Sequence, residues 1–239
     1  MSTALQYLGQ PRPIIDGPEK VSGRARYTAD VEVPRMTHAR PVLSPHAHAR
    51  IVSIDAEDAR RVPGVVAVLT EADLPSHGKP MNTRPSSILA RDYVLYAGQP
   101  VALVVAESVA VAQDAAELVF VEYDLLPPVL DPLLAMEENA PLVHPDGLHA
   151  DEDMANVHAA VSTEDEDEDV KTAPNVQERV HFHRGDVEAG LAEADVVVKR
   201  RYHTSTVHQA YMEPHASVAT YDPVRKELQI FTSTQGQYA

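Results

Sequence analysis

The chain has 239 residues, and the 44% of them that are aliphatic, aromatic or methionine suffice for one large or two modest domains with a real core. It has no cysteine and no run of about 18 apolar residues; this excludes disulfides, thiolate metal sites, thiol nucleophiles and cysteine-ligated iron–sulfur clusters within the chain, and no membrane span is expected. The formal charge of −16 is concentrated in residues 92–170, which hold 19 acids and no Lys or Arg, while Arg24/Arg26 and Lys199-Arg200-Arg201 are too short to form a phosphate-binding patch, so nucleic acid is not an expected partner.

Residues 1–19 read as an irregular arm, with Pro11, Pro13 and the turn signal Gly17-Pro18. The opening Met-Ser-Thr-Ala-Leu-Gln-Tyr has neither a basic region nor an apolar core, so no secretory leader is expected. His38–Leu43 and Arg50–Ile54 are short, part-apolar strand-like runs, and Val65–Thr70 is a cleaner one. Between them Asp55–Val62 predicts a short helix capped by Asp55 and stopped by Pro63-Gly64. Residues 71–91, with three prolines, read as a loop.

Gly98-Gln99-Pro100 opens a βαβ-like pattern. Val101–Ala106 is a continuous apolar strand suited to burial on both faces. Ser108 caps a helix to about Val119, with Val111, Ala112, Ala115, Ala116 and Val119 on one face. Phe120–Tyr123 returns as a strand, and Asp131-Pro132-Leu133 reads as the start of a short helix. Residues 136–180 form an acidic linker. The six consecutive acids Glu164–Asp169 repel one another and bury no apolar surface. Order resumes near His181. Asp186 caps a helix over Val187–Ala194, Asp195–Tyr202 is strand-like, and Ala216–Tyr221 and Glu227–Ser233 read as strands around the turn Asp222–Lys226. The chain then stops straight after a strand, as an interrupted domain would.

Chemistry-bearing patterns are sparse. His46-Ala-His48 and His181-Phe-His183 place paired imidazoles at strand spacing, but a zinc site needs three or four convergent ligands, so no metal site is expected from these rings. In the Ser44-Pro45 turn, His46 and His48 read as polar surface. No phosphate-binding glycine loop and no Gly-x-Ser-x-Gly elbow is present. Glu213, in Tyr211-Met-Glu-Pro214, sits beside a proline between two strand-like runs; it either holds a turn or faces a ligand pocket. Gln235 follows a strand end, where an amide can both donate to and accept from an oxo or hydroxo ligand. No catalytic residue stands out.

Seven short stretches, in order, carry a resemblance. They are Glu19–Asp30, Ser44–Ile51, Val62–Thr70, Gly98–Ala102, Gly185–Glu188 with Ala192–Val198, Met212–Pro214 and Thr232–Gln235. Together they resemble the molybdenum-binding subunit of the xanthine dehydrogenase/aldehyde oxidase/carbon monoxide dehydrogenase family. The resemblance implies an α+β chain: an α/β hammerhead domain over 20–135, then, from 181 to 239, the first strands of an incomplete molybdopterin-binding domain. It implies oxidative hydroxylation of an aldehyde or N-heterocycle carbon, with water as oxygen source, at a molybdenum–molybdopterin cofactor shared with the rest of the subunit. Electrons would leave through iron–sulfur clusters to FAD on partner subunits or domains, in the cytoplasm. Gln235 aligns with the family's glutamine that hydrogen-bonds a molybdenum oxygen ligand, and Glu213 with the recurrent Glu of its Met/Leu-Glu-Pro/Thr stretch, at the pocket wall. The family's later glycine-rich loop, its arginine-bearing loop and its C-terminal catalytic glutamate have no counterpart, so the isolated chain is expected to be inactive without the rest of the molybdopterin domain. The alternative is a stand-alone hammerhead module acting in assembly.

Overall fold

The apolar run around Val101–Ala106 becomes the strand on which the larger part of the molecule is built. The structure is a computed structural model that describes residues 11–74, 88–145, 175–176, 184–208, 210–212 and 214–234. Its chain divides into two compact units, Thr37–Val198 and a second made of Met1–Met36 with Lys199–Ala239.

In the first unit the strands are β1 (His38–Leu43), β2 (Ala49–Asp55), β3 (Val65–Leu69), β4 (Tyr93–Val94), β5 (Pro100–Ala106) and β6 (Phe120–Leu125). They form two three-stranded antiparallel sheets, ordered β1-β5-β3 and β4-β2-β6. The mixed, antiparallel arrangement is α+β, as the resemblance implies. The βαβ reading of residues 100–123 is corrected. Both edges of β5 are taken by antiparallel neighbours, so β6 joins the other sheet, against β2.

β5 is buried on both faces. Ala102 and Val104 enter a cluster with Ala56, Ala59, Val68, Ala115 and Val119, while Val101 packs with Ala49, Ala90 and Val94. Val42 and Val121 border both clusters. The side chains are small, so close backbone approach rather than aromatic bulk fills this core.

Two helices cover the first sheet. α2, which follows α1 (described below), spans Glu57–Arg61, and the Asp55 carboxylate accepts from the Glu57 N–H at 3.0 Å, as a cap would. It ends where Val62 turns extended and Gly64 takes φ +90°, a conformation a side chain would strain. α3 (Val109–Ala116) starts at Ser108, whose hydroxyl accepts from the Val111 N–H at 3.2 Å. It buries Ala112 and Ala115. It ends three residues before Val119 because the last turn tightens, with the Leu118 N–H bonding the Ala115 carbonyl at 3.1 Å.

The loop after β3 is pinned at its base. Glu71, almost wholly buried, takes an ion pair at 2.5 Å from Arg91, whose guanidinium is held more firmly protonated by that contact. Further along, a 3₁₀ turn at Leu134–Met136 follows Asp131, whose carboxylate accepts from the Leu133 N–H at 2.7 Å. Asn175 ties this stretch down. Its carbonyl oxygen accepts from the Val143 N–H at 2.9 Å, and its amide donates to the carbonyls of Ala135 and Pro141 at 3.0 Å each. The acidic run 164–169 lies outside the described residues. α4 (Val187–Glu193) has the expected cap, Asp186 accepting from the Ala189 N–H at 2.9 Å.

In the second unit, residues expected to be wholly irregular contain a one-turn helix, α1 (Gly17–Val21), which carries proline in its first turn and an Asp16–Lys20 ion pair at 2.6 Å. A 3₁₀ turn follows at Thr28–Asp30. The strands β7 (Ser217–Asp222) and β8 (Glu227–Thr232) make an antiparallel ribbon, close to the expected bounds. Residues 195–202, read from sequence as a strand, pair with nothing among the described residues, and Val196, Val197 and Val198 are exposed.

Candidate functional site

Both residues singled out for cofactor contact, Glu213 and Gln235, lie outside the described residues. Their chain neighbours are described, and they belong to one end of the β7–β8 ribbon. At the turn end, the Asp222 carboxylate accepts from the N–H groups of Val224 and Arg225 at 2.8 and 3.1 Å, which fixes the reversal. At the open end, the Ser217 and Thr232 hydroxyls meet across the strands at 2.8 Å.

Just beyond, Ser233 locks the two outgoing segments together. Its N–H donates to the Ala216 carbonyl at 3.1 Å, and its hydroxyl oxygen accepts from the Ala216 N–H at 2.9 Å. The hydroxyl proton is left between the carbonyls of Pro214 and Ala216, at 3.2 and 3.3 Å. The residue following Glu213 and the residue two before Gln235 are therefore hydrogen-bonded to each other. Sequence reading treated Glu213 and Gln235 as separate features 22 positions apart; strand pairing is what brings their neighbours to one place.

An aromatic–imidazole group stands beside this end. The Tyr211 ring lies 5.5 Å from that of His208 and 5.1 Å from that of His215. Its hydroxyl is hydrogen-bonded to His215 Nε2. His208 Nδ1 accepts from the Ala210 N–H at 3.0 Å, so in the neutral ring the proton sits on Nε2. Sequence reading missed Tyr211 and His215 as a pair. The signal available was only their spacing of four on either side of Met212-Glu-Pro214.

The other histidines fall in a different place. His48 is buried rather than surface-lying, at 6% exposure. Its Nδ1 lies 2.9 Å from the Pro127 carbonyl, which can only accept, so Nδ1 carries the proton; Nε2 is buried with no partner. His46 packs edge-on against Tyr123 at 4.9 Å. Burial raises the Tyr123 phenol above its ordinary value, with a Ser44 hydrogen bond opposing. Burial, helped by His48, lowers His144 and keeps it neutral. Ser44 and Gln99 complete this node. The Ser44 N–H donates to the Gln99 carbonyl at 2.9 Å, the Gly98 N–H to the Ser44 carbonyl at 2.8 Å, and the Leu95 N–H to Gln99 Oε1 at 2.7 Å. The stretches Ser44–Ile51 and Gly98–Ala102 thus meet as a structural joint. His181 and His183 lie outside the described residues.

Among the described residues no three His, Asp or Glu side chains converge as metal ligands. The groups around the open end of the ribbon are hydroxyls and imidazoles suited to hydrogen bonding. That donor set fits a metallocofactor whose metal is ligated by its own organic part and which asks the protein for hydrogen bonds. No described helix is long and apolar enough to cross a membrane.

Comparison with known proteins places the two halves of the chain separately. Residues 22–127 match the family model described as aldehyde oxidase and xanthine dehydrogenase, a/b hammerhead domain, and residues 168–239 match the molybdopterin cofactor-binding domain. The carbon monoxide dehydrogenase large chain of Afipia carboxidovorans is 34% identical over 98% of this chain and 28% of its own length. The probable hypoxanthine oxidase XdhD of Escherichia coli K12 is 33% identical over 97% of this chain and 26% of its own. The solved quinoline 2-oxidoreductase of Pseudomonas putida 86 superposes with a TM-score of 0.70 at 31% identity, over 92% of this chain and 26% of that one. The chain thus spans about a quarter of the length of these relatives.

Proposed function

Because the chain belongs to the family of molybdenum hydroxylase large subunits, as a hammerhead domain followed by the beginning of a molybdopterin-binding domain, we propose that it forms one wall of a molybdenum–molybdopterin site and works only with the remainder of such a subunit. The activity so assembled is oxidative hydroxylation of an aldehyde or N-heterocycle carbon, with electrons passing to iron–sulfur and FAD partners, in the cytoplasm. When bound, the cofactor supplies a metal centre that activates water as the oxygen source. This chain's part is positional. Gln235 would hydrogen-bond an oxygen of the cofactor, and Glu213 would stand at the pocket wall, both carried by segments that Ser233 holds together.

One observation carries the incompleteness. Directly paired residues of the ribbon share a face, and one face presents Ala219, Tyr221, Leu228 and Ile230. Tyr221, Leu228 and Ile230 are 59%, 62% and 56% exposed. A two-stranded ribbon with an uncovered apolar face is marginal alone and needs a layer packed on it. The lengths of the relatives supply the occupant: the rest of the same domain. A finished stand-alone hammerhead module would not leave this face open.

The role of Gln235 is tested in the assembled subunit. Gln235→Ala removes a hydrogen bond to a charged group, worth about 1.5–3 kcal/mol, so molybdenum retention on dialysis weakens about 10- to 100-fold, whereas Gln229→Ala on β8 leaves it unchanged. Equal retention by the two variants contradicts the assignment.

A further inference from the structure

We infer that the segment ending in the turn Arg26–Asp30 is a docking element of the cofactor-side unit, and that it sets the position of the β7–β8 ribbon. The family match counts this turn with the hammerhead, within residues 22–127. The structure groups it with residues 199–239 instead, and the Thr28–Asp30 turn packs on β7.

Burial along β7 alternates accordingly. Val218, Thr220 and Asp222 are partly covered, while Ser217, Ala219 and Tyr221 are exposed. Phe231, opposite Val218, is the least exposed large side chain of β8. The ribbon's two faces therefore take different partners: the chain's own N-terminal segment lies on the Val218/Phe231 side, leaving the Leu228/Ile230 side for the rest of the domain.

The turn is built to be rigid. The Asp30 carboxylate accepts from the Tyr27 N–H at 2.9 Å, the Asp30 N–H returns to the Tyr27 carbonyl at 2.9 Å, and Arg26 donates to the Asp30 carbonyl at 3.0 Å. Asp30 is thus a positioning residue, acting through the turn on the strand whose far neighbours lead to Glu213 and Gln235. This meaning rests on the function proposed above; its test does not, because it needs no cofactor.

The test is amide hydrogen exchange on the full 239-residue chain. Asp30→Ala removes a cap worth about 1 kcal/mol, so amides of residues 217–222 exchange roughly fivefold faster. Those of residues 100–106 stay unchanged. Asp30→Asn, whose amide oxygen still accepts from Tyr27, restores the original rates. Unchanged exchange in 217–222 overturns the inference. So does acceleration in 100–106, which would return the turn to the hammerhead.

Discussion

Replacing both Leu228 and Ile230 with Asp is expected to leave the stability of the isolated chain within about 0.5 kcal/mol of its starting value, as surface changes do, yet to weaken its association with the remainder of the large subunit at least 100-fold. The asymmetry follows from exposure. Both side chains are more than half exposed in this chain, so removing them empties no core. On docking, each would bury apolar surface worth about 1.5–3 kcal/mol, and a carboxylate in its place adds the penalty of an unpaired charge leaving water. Isothermal titration of the chain with the separately produced remainder measures the effect. Val224→Asp, at the tip of the turn and 90% exposed, serves as the control and leaves affinity unchanged. Equal affinity for wild type and the double variant would mean that the Leu228/Ile230 face is not the docking face.

The second large effect lies in the hammerhead. Val104 is fully buried on the central strand, in register with Arg40 on one side and Val68 on the other. Val104→Asp places a carboxylate among Ala59, Val68 and Ala115, where nothing pairs with it. The expected loss is at least about 4 kcal/mol, set against a total of about 5–15 kcal/mol for a typical domain. Val104→Ala, which only opens a small void, loses about 1–3 kcal/mol. Urea unfolding followed by far-ultraviolet circular dichroism reads both. A Val104→Asp midpoint equal to that of wild type would contradict the placement of β5 at the centre of the core.

How much of this was legible in the sequence depends on the range of the interaction. Val101–Ala106, the Ser108 and Asp186 caps and the Asp222–Lys226 reversal are local, and each stands where the residue pattern puts it. The parallel reading of residues 100–123 failed because alternation says that a strand is buried, not who flanks it; β1 and β3, far along the chain, had already taken both edges. Val196–Val198 looked like a strand because β-branched residues favour extended backbone, but a strand also needs a partner, and among the described residues these have none. The α1 turn was missed because Gly17-Pro18 reads as a break, although proline is welcome in a helix's first turn. His48 read as turn surface, since nothing local announces the Pro127 carbonyl, 79 positions on, that buries and orients it. At the candidate site, the residue types were visible in Gln235 and Glu213; the clasp of Ser233 on Pro214 that draws their segments together came only with strand pairing.

Molybdenum content by mass spectrometry, measured on the purified chain alone and again after the chain is paired with the rest of a large subunit in the presence of the cofactor, decides whether this polypeptide is one wall of a shared site. The expected result is no bound metal for the chain alone and one molybdenum per assembled pair. Stoichiometric molybdenum on the isolated chain, or none on the assembled pair, would contradict it.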